Sequence, residues 1–68
     1  MELSARNQIQ GKVTSVESQG LTAEVTVDIG GGNALVSSIT KSSADRLKLK
    51  TGDSVTVVIK ASEVLIAK

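Results

Sequence analysis

Leu21-Thr22-Ala23-Glu24-Val25-Thr26-Val27-Asp28-Ile29 is the stretch that decides the fold. Leu21, Ala23, Val25, Val27 and Ile29 alternate with Thr22, Glu24, Thr26 and Asp28. A period of two puts the two sets on opposite faces of a β-strand, one buried and one wet. Gly30-Gly31-Gly32-Asn33 follows and predicts a hairpin-like turn. Residues 34–40 then resume a strand. Here both parities are partly apolar, with Leu35 and Ile39 on one face and Ala34 and Val36 on the other. A strand apolar on both faces is one covered on both faces. In so small a chain, that points to an interface between copies.

Working outward, residues 8–16 read as a strand in which Ile9, Gly11 and Val13 share a parity. Gly11 puts no side chain on that face, which predicts a bulge or a close backbone approach. Glu17-Ser18-Gln19-Gly20 reads as a turn. Residues 40–47 change period: Thr40 or Ser42 is placed to cap a short helix, with Asp45 near its first turn. Thr51-Gly52-Asp53 is a further turn. Residues 54–60 form a strand with Val55, Val57 and Ile59 inward, and residues 63–67 a last short one. The order β-β-β-α-β-β predicts an all-β fold, a small five-stranded Greek-key barrel of the OB type with one short helix. With no proline and no linker-like stretch, residues 1–68 read as a single domain.

Composition narrows the function. A chain of 68 residues buries little surface and is marginal alone. It has no cysteine and no histidine, so disulfide and zinc staples are excluded. Its 40% hydrophobic content contains no Phe, Trp or Tyr. Oligomerisation is the remaining remedy for a small aliphatic chain. A net charge of +1 is not that of a polybasic nucleic-acid binder. Single-strand binders stack bases on aromatic rings, and there are none here. No membrane span or signal-peptide pattern is present, which predicts a cytoplasmic protein. The carboxylates Glu2, Glu17, Glu24, Asp28, Asp45, Asp53 and Glu63 are scattered, and no pair suits general acid–base work or a metal cation. The chain is therefore read as a non-enzyme with no metal site and no cofactor.

The polar residues that remain are donors: Ser4, Arg6, Asn7, Thr40, Ser42, Ser43, Lys60 and Ser62. They cluster at strand ends. A guanidinium and an ammonium supply charge, hydroxyls and backbone N–H groups supply direction, and together these make an anion site. Taken singly, each has an ordinary reading as a solvated surface group or a helix cap.

Ser4-Ala5-Arg6-Asn7-Gln8, Gly11-Lys12-Val13, Gly32-Asn33, Ile39-Thr40 followed by Ser43, and Lys60-Ala61-Ser62-Glu63-Val64 together resemble the molbindins, the small molybdate-binding Mop family. The resemblance covers essentially the whole chain. It implies an OB-like barrel assembled as a homohexamer, a trimer of dimers, with oxyanion sites at subunit interfaces. It implies that molybdate or tungstate is bound by Ser4, the Ala5 backbone, Arg6, Thr40, Ser43, Lys60 and the Ala61 backbone. Asn7, Ser42 and Ser62 stand beside them as further candidates. Ser42 doubles the hydroxyl beside Ser43 and leaves open which of them is the ligand. Molybdate carries four oxygens and no proton at neutral pH, so a site made only of donors suits it. The function implied is molybdenum storage or homeostasis. The alternative is a ligand-sensing or interaction module acting on a regulator or transporter partner.

Overall fold

The computed structural model describes residues 4–68; Glu2, one of the scattered carboxylates, lies outside the described residues. Strands β1 (Asn7–Gln19), β2 (Thr22–Gly30) and β3 (Asn33–Thr40) precede helix α1 (Lys41–Arg46), and strand β4 (Ser54–Ile59) and a 3-10 turn (Ala61–Glu63) follow it. The four strands form one antiparallel sheet in the order β3-β2-β1-β4.

The alternation read in β2 sets the core. Ala23, Val25 and Val27 are buried, whereas Thr22, Glu24 and Asp28 face solvent. Val13, Val25 and Val27 form the centre, with Val16, Ile29, Ile39, Leu49, Val55 and Val57 packed around them. Leu21 departs from the alternation. It lies in the two-residue turn with Gly20, outside the ladder, and is 87% exposed.

Strand β1 is longer than its apolar pattern. Glu17, Ser18 and Gln19 do not turn but pair with Glu24, Ala23 and Thr22. The pairing shifts between Val13 and Ser15, leaving Thr14 as the extra residue of a bulge. The bulge changes the inward parity, so Val13 before it and Val16 after it both reach the core. Gly11 supplies the close approach. A Cβ there would stand 2.5 Å from Val27 Cγ1 and 2.7 Å from the Asp28 carbonyl oxygen. The 50–53 turn docks at the same bulge: the Gly52 N–H donates to the Val13 carbonyl at 2.8 Å, and the Val13 N–H to the Asp53 carbonyl at 2.9 Å. At the far end of β2, Gly30, Gly31 and Gly32 take φ of 93°, 63° and 80°, a run that residues with a Cβ adopt only at a cost of about 1–2 kcal/mol each.

In the single chain Leu35 and Ile39 on one face of β3 are half-buried, while Val36 on the other face is 63% exposed. Two further expectations need correcting. Asp45 lies in the last turn of α1, not the first, since the helix already starts at Lys41. The final strand does not form within the chain. The N–H groups of Glu63 and Val64 donate back to the carbonyls of Lys60 and Ala61, closing a 3-10 turn, and residues 64–68 join no ladder. The described chain is thus a four-stranded curled sheet, with neither a fifth strand nor Greek-key closure. Its edge strands β3 and β4 do not pair, and Ser37 and Ile39 from one line an apolar cleft with Val55 and Val57 from the other.

Candidate functional site

The donor residues fall into two groups. The first is built where β1 begins. Asn7 pairs with Ile59, so the antiparallel ladder sets Ser4-Ala5-Arg6 beside the chain leaving β4 at Lys60-Ala61. Two side chains brace this junction. The Asn7 amide donates to the Ile59 carbonyl at 3.2 Å, and the Gln8 amide to the Ala5 carbonyl at 3.4 Å. Ala5 is buried, while Ser4, Arg6, Lys60, Ala61 and Ser62 are exposed. Among the described residues neither Arg6 nor Lys60 is in an ion pair. The junction therefore fixes backbone at its centre and leaves two cationic side chains in water.

The second group is built where β3 meets α1. Thr40 caps the helix: the Ser43 N–H donates to Thr40 Oγ1 at 3.1 Å. That backbone donor, which a helix start offers to an anion, is therefore already used. Thr40 Oγ1 in turn donates to Ser43 Oγ at 2.8 Å, and Arg46 Nη2 donates to the same oxygen at 3.1 Å. Ser42 Oγ lies 3.3 Å from Thr40 Oγ1. A hydroxyl has one proton and two lone pairs. Thr40 gives its only proton to Ser43, so the Ser42 contact requires Ser42 to donate. Ser43 accepts twice, and its own O–H is left over. Of the three hydroxyls, Ser43 alone keeps an unspent donor and has no acceptor capacity left. The neighbouring carboxylate, Asp45, is held by Lys41 Nζ at 2.9 Å. Arg46 is not among the donors that the sequence singles out. Its i, i+3 spacing from Ser43 on a helix was the signal that could have found it.

The structure brings Ser4, Ala5, Arg6 and Asn7 together with Lys60 and Ala61, and it brings Thr40, Ser42 and Ser43 together. It does not bring the two groups together. Asn7 opens the 13-residue strand β1, and Gln19 closes it opposite Thr22, whose other neighbour is Thr40. At roughly 3.3 Å per residue the two ends of β1 are separated by far more strand than one oxyanion spans. No helix among the described residues is long and apolar enough to cross a membrane.

The TOBE domain family matches residues 3–66 of this chain. Molybdenum-pterin-binding protein 1 of Clostridium pasteurianum is 44% identical over 66 residues, covering 97% of each chain. A molybdate-binding protein from Sporomusa ovata superposes with a TM-score of 0.94 at 34% identity, over the full length of both chains. The cytoplasmic molybdate-binding protein ModG, solved with molybdate bound, superposes with a TM-score of 0.90 at 43% identity, covering 96% of this chain and 46% of that one. A match of this length in sequence and in backbone, on a chain whose polar clusters are made of donors, places the protein in the TOBE-domain family, among its molybdenum-pterin-binding (Mop) members.

Proposed function

We propose that this protein binds molybdate, and tungstate with it, as a free dianion held between copies of the chain, for intracellular molybdenum storage or homeostasis. The observation that carries this reading is the separation of the two donor groups along β1. Each group is an incomplete shell. Arg6 and Lys60 carry charge with little enclosure, and Ser43 carries one oriented O–H with its acceptor sites filled. Apposing the first group of one copy to the second group of another makes a complete shell of donors. Charge-assisted hydrogen bonds of this kind contribute about 1.5–3 kcal/mol each. Ser4 and the backbone N–H groups of Ala5 and Ala61 complete the set, with Thr40 holding Ser43.

The assembly is a homo-oligomer, a hexamer built as a trimer of dimers. The exposed apolar surface supports this: Val36 on the outer face of β3, and Leu65 and Ile66 in the tail at 91% and 88% exposure. Residues 64–68 supply the fifth strand of the barrel by pairing with another copy. Residues 1–68 act as one domain, located in the cytoplasm, without catalytic activity. The names of several relatives mention a pterin. This chain has no aromatic residue on which a pterin ring would stack, and its donors suit a bare oxyanion.

Competition titration tests the reading. Molybdate-loaded protein is titrated with tungstate, sulfate and phosphate. Tungstate matches molybdate in charge and nearly in size, so it displaces molybdate at comparable concentration. Sulfate is too small for donors held on strands to close around it. Hydrogen phosphate brings a proton that a shell of donors leaves unpaired, at a cost of about 1–3 kcal/mol. Displacement by sulfate as readily as by tungstate would mean a generic anion patch.

A further inference from the structure

Among the described residues, Arg46 is the one charged group bonded to a proposed ligand hydroxyl. We infer that Arg46 is a specificity-determining residue that, by filling the second lone pair of Ser43, makes the site select oxyanions carrying no proton. The inference rests on the assignment of Ser43 to the anion site made above. Thr40 alone would leave Ser43 Oγ with one lone pair free. The hydroxyl could then rotate and accept a proton from hydrogen phosphate as easily as it donates to molybdate. With Arg46 Nη2 at 3.1 Å and Thr40 Oγ1 at 2.8 Å, both acceptor positions are occupied and only donation is possible. The helix fixes this geometry, because residues three apart on α1 share a face. The same α1 holds Asp45 on Lys41, which keeps that carboxylate from competing for the guanidinium.

The experiment compares wild type with Arg46→Ala, Arg46→Lys and Ser43→Ala, reading displacement of molybdate by phosphate and by sulfate near neutral pH. Sulfate is the control, since it is a dianion without a proton. In Arg46→Ala the preference for molybdate over phosphate falls about three- to tenfold, the range of one net hydrogen bond, while the preference over sulfate is unchanged. Arg46→Lys keeps the charge without the planar fork, and its phosphate preference lies nearer to the alanine variant than to wild type. Equal losses against phosphate and sulfate would make Arg46 a source of charge only and overturn the inference. Unchanged ratios in Arg46→Ala, with molybdate affinity reduced in Ser43→Ala, would overturn it and leave the site standing. Wild-type affinity in Ser43→Ala would overturn the site assignment itself, and the inference with it.

Discussion

Asn7 and Ile59 face each other across the β1–β4 ladder, and the Asn7 side-chain amide donates to the Ile59 carbonyl at 3.2 Å. This bond joins the two chain segments that carry Arg6 and Lys60. It also gives Asn7 a bracing role at the junction, using one of its two amide N–H groups. Asn7→Ala is expected to lower stability by about 0.5–1.5 kcal/mol, the net worth of one such bond, read from the midpoint of denaturant unfolding. Molybdate affinity should fall by less than in Arg6→Ala. An Asn7→Ala variant weaker in binding than Arg6→Ala would make Asn7 a direct ligand.

Arg6→Ala and Lys60→Ala should each weaken molybdate binding while leaving the fold intact. Both side chains are exposed in the protomer, so truncation opens no cavity. Loss of one charged donor costs about 1.5–3 kcal/mol, or about one to two decades in affinity. Arg6→Lys should recover only part of the loss, because an ammonium lacks the planar fork. Titration calorimetry checks both statements. Wild-type affinity in the two alanine variants would reduce these charges to solvated surface.

How much of this was legible in the sequence depended on whether one strand could reveal its own partner. Strand β2 was legible because its two faces differ at every step from Thr22 to Ile29. The end of β1 was not, because Glu17, Ser18 and Gln19 are held by backbone pairing to β2 rather than by any apolar side chain. The bulge at Thr14 hid in the same way, since a change of parity looks like the end of a strand. Residues 63–67 have strand-like side chains, but a strand needs an edge to pair with, and composition does not say which chain provides it. In the site, Thr40, Ser42 and Ser43 were legible as hydroxyls. Which one retains a free proton depends on the directions of four hydrogen bonds, and those exist only once α1 has formed.

Gly11→Ala should destabilise the protein although Gly11 lies within a strand, where alanine is ordinarily the better residue. The new Cβ would stand 2.5 Å from Val27 Cγ1 and 2.7 Å from the Asp28 carbonyl oxygen, and the backbone atom cannot rotate away. Overpacking of this kind costs about 1–3 kcal/mol. Thermal denaturation at matched protein concentration should show a lower midpoint, by several degrees. An unchanged or raised midpoint would mean that β1 and β2 separate freely at this point.

Leu65→Asp and Ile66→Asp separate a solvent-exposed tail from a buried one. Both side chains are almost wholly exposed in the single chain, so an isolated protomer would tolerate the changes with little effect. If residues 64–68 pair with another copy, each substitution removes about 1.5–3 kcal/mol of burial and introduces a charge into an apolar interface. Sedimentation at micromolar concentration should then show the wild type as an assembly of several chains and the variants as smaller species. Variants that sediment like wild type would place the tail outside the interface.

Anomalous scattering at the tungsten edge, from crystals of the protein grown with tungstate, tests directly whether the anion is held between copies. The heavy atom marks every bound oxyanion without reference to any expectation about ligands. Strong peaks are expected between chains, each bounded by Arg6 and Lys60 of one copy and by Ser43 of another. Peaks enclosed by residues of a single copy, or no ordered peak in a fully assembled oligomer, would contradict capture of the anion at the subunit interface.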